Sequence, residues 1–397
     1  METFQPKLRF PEFKGDWENK KLKEIGSFLG GGTPSTKEEH FWNGEIPWVS
    51  SSDITDENIF DIRKTRFITD EAVKKSATKL IPKGNILIVS RVGVGKVVIN
   101  DEDICTSQDF TNLILNNSNN FFIAYLIKNE TNKLLEFNQG TSIKGFVKSD
   151  LEELNIIIPS LEEQTKIANF LSSVDEKLNL LKEKKALLED YKKGIMQKIF
   201  NQDSSDSEQA KQIRFKDDNG NDFENWVKKS LGNIAEVNKG NQLNKDDLND
   251  FDVYPSISGG IEPSGYTDKF NRNENTIIIS EGGNSCGYVN FIKTKFWCGG
   301  HCYSIDILAT DNFDNDYLYQ LLKFNQNEIM ALRVGSGLPN IQKKDLKNFL
   351  LKLSINKIEQ TKIANFLSAI DEKTALVSNQ IQDTQEYKKG LLQQMFV

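Results

Sequence analysis

No stretch of the chain approaches the roughly 20 consecutive apolar residues that a membrane helix needs, so no membrane contact is expected. The longest aliphatic runs, Ile86 to Val89 and Ile277 to Ile279, have the length of buried strands. Met1 to Phe10 carries charge and lacks the apolar centre of a signal peptide, which argues for the cytoplasm. None of the nine prolines adjoins another, which removes the Asn/Asp-Pro-Pro-Tyr/Phe motif of amino-group methyltransferases. No Gly-x-Gly-x-x-Gly fingerprint is present. Gly93-Val94-Gly95-Lys96-Val97 has part of a phosphate loop's outline but lacks the upstream glycine and a Ser or Thr after Lys96. Glu12-Phe13-Lys14 has a nuclease-like spacing without an acidic partner in a strand and reads as surface. The two histidines, His40 and His301, belong to no catalytic motif. No catalytic residue and no bound cofactor is expected.

Cysteine is also scarce: Cys105, Cys286, Cys298 and Cys302. Cys298, His301 and Cys302 crowd together near Cys286, which raises zinc, but a four-ligand site draws on two separated pairs. Adjacent His301 and Cys302 would face opposite ways in a strand. Buried thiols are the expectation, and no metal. Acidic residues outnumber basic ones, 57 to 50, for a net charge of −7. That disfavours an indiscriminate nucleic-acid binder but leaves room for locally basic loops.

What the chain does have is a repeat. Residues 163–172 read EQTKIANFLS, and residues 359–368 read the same, 196 positions on (359 − 163). Asp175-Glu176-Lys177 returns as Asp371-Glu372-Lys373, Tyr191-Lys192-Lys193-Gly194 as Tyr387-Lys388-Lys389-Gly390, and Phe200 as Phe396. Fainter echoes precede each copy: Trp17, Leu22 and Ile25 against Trp226, Leu231 and Ile234; Gly140-Thr141-Ser142 against Gly335-Ser336-Gly337; Asp150-Leu151 against Asp345-Leu346. Between these landmarks the halves share little.

The repeated segments are helical by period. Ile167, Leu171, Val174, Leu178, Leu181 and Leu188, continued by Tyr191 and Ile195, alternate spacings of four and three. Ile363, Leu367, Ile370, Val377, Ile381 and Leu391, with Tyr387, follow suit. Forty helical residues span about 60 Å. With no layer of their own to cover these stripes, the two helices are expected to bury them against each other. Lys185 stands where the second copy has Ile381, and Leu188 where it has Thr384, which discourages pairing between identical seams.

The rest reads as mixed α and β. Ile86 to Val89 and Val97 to Ile99 suggest a strand pair around Arg91 to Lys96, matched by Ile277 to Ile279, Glu281 to Ser285 and Tyr288 to Phe291. Aligned this way, Glu281 replaces Arg91. Phe121 to Asn129 and Tyr317 to Phe324 read as short helices. The expected fold is α+β: two similar mixed domains, 1–158 and 212–355, and two long antiparallel helices, 159–200 and 356–397, forming a pseudo-two-fold coiled coil. Residues 201–211 form a solvated linker.

A variable domain followed by a constant helix, twice over, resembles the specificity subunits of type I restriction–modification systems across essentially the whole chain. The Glu-Gln-x-Lys-Ile-Ala-x-Phe-Leu-Ser-x-x-Asp segments carry the resemblance, supported by Gly31 to Ser35, Ile46-Pro47-Trp48 and Ile86 to Lys96. It implies a non-catalytic chain whose domains each read half of a bipartite, asymmetric target in double-stranded DNA. The helices would set the spacer and dock two modification subunits, which carry S-adenosylmethionine and methylate adenine at N6. Restriction/translocase subunits would join them. Candidate DNA contacts are polar or basic loop residues: Thr33, Ser35, Arg91, Lys96, Gln108, Thr141, Ser142 and Lys144, then Lys239, Asn241, Asn284, Ser285, His301, Ser336, Asn340 and Gln342. The alternative is a coiled-coil scaffold with no reading role.

Overall fold

The computed structural model describes residues 4–130, 145–201, 213–309, 313–335 and 337–397. Its contacts divide the chain into two units, Met1–Lys182 with Asn379–Val397, and Glu183–Ser378. Each unit therefore holds one globular domain and a portion of both long helices, where the linear reading separated domain from helix. The expected linker lies almost wholly outside the described residues.

The first unit contains β1 (Glu18–Lys21), α1 (Leu22–Ile25), β2 (Gly26–Gly30), β3 (Ile46–Val49), β4 (Phe67–Ile68), α2 (Asp70–Lys75) and β5 (Leu80–Ile81). There follow β6 (Ile86–Val89), β7 (Val97–Ile99), β8 (Ile104–Thr106), β9 (Phe110–Leu115), α3 (Asn120–Asn129), α4 (Lys148–Glu152), β10 (Asn155–Ile158) and the long α5 (Leu161–Phe200), of which the part to Lys182 belongs to this unit. An antiparallel sheet runs β2-β9-β6-β7, a second runs β4-β3-β8-β5 with β3 and β8 parallel, and β1 pairs with β10. Strand β6 explains its unbroken apolar sequence, because both its faces are covered. Ile86 and Ile88 enter one core with Phe122 and Tyr125; Leu87 and Val89 enter another with Val49 and Phe110.

The second unit repeats this order with β11 (Val227–Ser230), β12 (Ala235–Lys239), β13 (Tyr254–Ile257), β14 (Tyr266–Thr267), β15 (Thr276–Ser280), β16 (Val289–Ile292), β17 (Trp297–Cys298) and β18 (Cys302–Ile307). Then come α6 (Asn315–Phe324), α7 (Gln326–Ala331), α8 (Lys343–Asn348), β19 (Leu350–Leu353) and the long α9 (Lys357–Met395), of which the part to Ser378 belongs to this unit. Its sheets run β12-β18-β15-β16 and β14-β13-β17, with β13 and β17 parallel, and β11 pairs with β19. Both domains are thus mixed α/β, each followed by a long helix, and the helices pack together.

The ladders correct one alignment. Val89 faces Phe110 as Ser280 faces Cys302, and Ser90 N donates to Asp109 O as Glu281 N donates to His301 O (2.8 Å each). Glu281 therefore stands at the place of Ser90, and Gly282 at that of Arg91, because the following turn is one residue longer in the second domain. Arg91 bridges Gly145 as Gly282 bridges Asn340.

The helix seam is antiparallel. In the first unit Asp175 of α5 meets Lys388 of α9 at 2.5 Å; in the second Lys192 of α5 meets Asp371 of α9 at 2.6 Å. Ile167, Leu171, Val174, Leu178, Ile363, Leu367, Ile370, Val377 and Leu391 are buried; Leu181, Leu188 and Ile381 are half-buried. Tyr191 and Tyr387, counted into the apolar stripe by period, are instead 52% and 55% exposed. The neighbouring Lys192 and Lys388 turn inward to meet their aspartates. The stripes are also shared with the domains: Ile167, Leu171 and Val174 join the first core with Met395 and Phe396, and Ile195 and Phe200 join the second with Ile363 and Leu367.

The repeated polar residues lock helix to domain. Gln164 Oε1 accepts from Asn119 N (2.9 Å), at the cap of α3, as Gln360 Oε1 accepts from Asp314 N (2.7 Å), at the cap of α6. Arg9 grips both oxygens of Glu163 at 2.8 Å. Glu359 accepts instead from Arg214 (3.2 Å) and from Trp226 Nε1 (3.0 Å). The sequence EQ…D…K recurs because each of its members closes a polar contact between helix and domain or between the two helices, most of them buried.

Candidate nucleic-acid interface

In each domain one end of the antiparallel sheet gathers most of the candidate residues. At the end of β2 and the start of β9 in the first domain, Thr33 Oγ1 donates to Gln108 Oε1, and both residues are exposed. Arg91 leaves β6 on the same side, its N–H bound to Asp109 O at 3.1 Å, and is exposed. The turn it opens is strained: Val92 has φ 43°, a left-handed value that side chains with a branched Cβ resist. Ser35 is exposed, with its carbonyl accepting from Trp42 Nε1 (3.2 Å).

Lys96 departs from expectation. Its Nζ donates to the carbonyls of Ser51 (3.1 Å) and Ile54 (2.9 Å), so the ammonium is spent inside the domain. The glycine turn beside it joins two strands, not a strand to a helix, and does not form a phosphate loop. Thr141, Ser142, Lys144 and Ser336 lie outside the described residues.

In the second domain Lys239 ends β12 and pairs with the buried Glu281 at 2.8 Å, where Tyr303 OH also donates (2.8 Å). Burial and the Glu281 carboxylate push the Tyr303 phenol above its usual range, keeping it a donor. Asn241, Asn284 and His301 are exposed. Ser285 is half-buried and donates to Gly259 O, and Gln342 Nε2 donates to Asn340 Oδ1 at 2.8 Å. Gly259, Glu281 to Ser285, His301 and Asn340 are thereby knit into one loop cluster at the sheet end. Two residues of this end carried no signal as sequence: Gln242, exposed just after Asn241, and Arg333, exposed before the Val334–Asn340 bridge.

All four cysteines are buried free thiols. Cys302 Sγ accepts from Gly259 N and Cys286 Sγ donates to Glu281 O, both at 3.0 Å. Burial pushes the Cys105 thiol up to about 11. Among the described residues no group of three His, Cys, Asp or Glu gathers to hold a metal, and no helix is long and apolar enough to cross a membrane.

Two similar domains presenting dissimilar polar loops at one sheet end, joined by paired helices, are an arrangement with relatives. Residues 14–190 and 223–385 each match the type I restriction modification DNA specificity domain. The chain belongs to the specificity subunits of type I restriction–modification systems. It is 30% identical to the type I restriction enzyme MjaIX specificity subunit of Methanocaldococcus jannaschii, over 95% of this chain and 92% of the relative. It is 32% identical to the Escherichia coli EcoR124I/EcoR124II specificity subunit over 44% of this chain and 45% of that one. The crystal structure of a type I system S subunit from M. genitalium shares the fold, with a TM-score of 0.70, 18% identity and 99% of both chains covered. A specificity subunit supplies DNA specificity and is the non-catalytic member of its system. That sets aside the scaffold without a reading role.

Proposed function

We propose that each domain of this specificity subunit reads one half of a bipartite, asymmetric target in double-stranded DNA. The paired helices hold the halves at a set spacing and dock two modification subunits, which carry S-adenosylmethionine and methylate adenine at N6; restriction/translocase subunits complete the assembly, in the cytoplasm. The observation that supports this best is the sheet end present in both domains. Its ladders match residue for residue, while its loops differ: Arg91 against Gly282, Thr33 against Gln242, Gln108 against Gly300. A scaffold kept constant beneath variable polar loops is what two readers of different sequences require. The net charge of −7 fits a subunit that leaves much of the phosphate contact to its partners.

Reconstituting the chain with its modification subunit and mapping N6-methyladenine tests the reading. Methylation should fall on two short defined blocks around an unspecified spacer; methylation with no split preference would refute it. Removing one heptad from 176–190 together with the matching heptad from 372–386 shortens the helices by about 10 Å, roughly three base pairs. The spacer should shorten while both half-sites stay the same.

A further inference from the structure

Between the two domains, side chains change strands yet keep their places. Gly32 N donates to Thr106 O (2.8 Å) as Asn241 N donates to Cys298 O (2.9 Å), so Gly32 and Asn241 are the same position. The carbonyls of those two residues each accept from a tryptophan: Trp48 Nε1 at 2.9 Å and Trp297 Nε1 at 2.8 Å. The tryptophans lie on different strands. In the parallel pair of the first domain Trp48 of β3 faces Cys105 of β8; in the second, Ser256 of β13 faces Trp297 of β17. Large and small residues have traded strands, and the indole N–H still reaches the same carbonyl.

The next residues show the same trade. After Gly32 comes Thr33, and after Asn241 comes Gln242. Opposite them stand Gln108 and Gly300, matched because Ser107 N and Gly299 N both donate to the parallel strand, to Val49 O and Ile257 O (2.8 Å each). Gln108 is oriented by the Thr33 hydroxyl. Gln242 reaches across from the other loop to lie over Gly300, where an added Cβ would meet its Oε1 at 3.0 Å. Each domain therefore exposes one glutamine at this place, from opposite loops, next to a backbone carbonyl that a tryptophan holds. The clefts at this end differ, with about 570 Å³ beside Thr33, Trp42, Trp48 and Arg66, and about 190 Å³ beside Gln242, Ser256 and Ser258.

We propose that Gln108 and Gln242 are equivalent base-reading residues, each contacting an adenine of its own half-site, and that Trp48 and Trp297 are the positioning residues that hold their loops. A carboxamide offers an acceptor and a donor side by side, matching the N6 amino group and N7 of adenine in the major groove. The oxygen of Gln108 keeps a second lone pair beyond the one that Thr33 uses. This inference rests on the proposed DNA-reading role.

The test is the methylation map of the full chain with its modification subunit. Gln242→Ala should lower the preference at one A·T pair of one half-site roughly ten- to hundredfold and leave the other half-site unchanged. Gln108→Ala should do the same in the other half. Trp297→Phe keeps a packed ring but loses the N–H, and should relax the same base pair as Gln242→Ala by a smaller factor. An unchanged map for both glutamine variants overturns the inference, and relaxation at a G·C pair overturns the adenine assignment. A uniform loss over both half-sites in Trp297→Phe makes that tryptophan merely structural. If the wild-type complex gives no split target, the reading role itself fails, which separates the two failures.

Discussion

The same ion pair occurs twice in the helix seam, in two different surroundings. Asp175 and Lys388 are 3% and 9% exposed at the side chain, and Tyr125 OH donates to the aspartate at 2.7 Å. Asp371 and Lys192 are 39% and 14% exposed, with Gln320 Nε2 in place of the tyrosine at 2.8 Å. Identical residues 196 positions apart thus differ in what water does for them. A repeated motif fixes which groups meet, but the energy of their meeting is set by the domain beneath. In the first unit an aromatic ring seals the pair, and burial together with Asp175 drives the Tyr125 phenol far above its usual range.

The largest contrast follows from that sealing. Lys388→Met strands a carboxylate that is almost fully buried, and breaking such a pair from one side costs about 3–5 kcal/mol. Lys192→Met leaves Asp371 facing water and should cost about 1 kcal/mol or less. Since the chain has two units, a single unfolding free energy is ill-defined. Hydrogen exchange that resolves α3 from α6 is the suitable measurement. Equal losses of protection in the two variants would break the comparison.

A second contrast lies where the helices begin. Trp226 Nε1 donates to the buried Glu359, whereas Trp17 Nε1 is buried with no hydrogen-bond partner among the described residues, and Arg9 holds both oxygens of Glu163. Replacement by phenylalanine removes similar ring packing from each. Only Trp226→Phe also removes a bond to a carboxylate, which contributes about 1.5–3 kcal/mol. Chemical denaturation of the two variants should show Trp226→Phe as the more costly by that margin, and indistinguishable variants would refute the assignment.

How much of this was legible beforehand follows from what a sequence period reports. The long helices, their pairing and the buried strands could be read because apolar spacing records burial directly. Tyr191 and Tyr387 misled because they fit the period, while the lysines beside them fold inward to aspartates that no local pattern announces. The sequence aligns Arg91 with Glu281 because Ser90 and Ser280 look alike, and only the ladder reveals the extra residue in the turn. Gln242 was invisible for a related reason: its equivalence to Thr33, and the exchange with Gln108 and Gly300, exist only across strands. This sheet end is the part of the chain where long-range pairing, and not local composition, decides which side chains share a place.

The finest contrast is between two lysines in equivalent places on the short helices. Lys128 sits against Asp56, whose carbonyl accepts at 2.6 Å and whose carboxylate lies at 3.4 Å. Lys323 has the carbonyl of Val289 (2.8 Å), the amide of Gln326 (2.9 Å) and the ring of Tyr288 at 3.9 Å, but no ion pair within 4.0 Å among the described residues. Burial lowers both ammonium groups, and with nearby Lys192 it takes Lys323 down to about 8. A lysine whose folded value lies below its unfolded one binds fewer protons in the native state over the window between them. The penalty for Lys323 is therefore complete below about pH 8, fades as pH rises, and is gone above the unfolded value of 10.5. Stability of the second unit should accordingly gain with pH between about 8 and 10.5 relative to Lys323→Met, which has no proton to lose. Denaturation of wild type and Lys323→Met at pH 7, 8.5 and 10 measures the difference, and parallel pH profiles would show that the ammonium is solvated after all. The corresponding Lys128→Met should narrow the gap much less, since Asp56 already holds that charge.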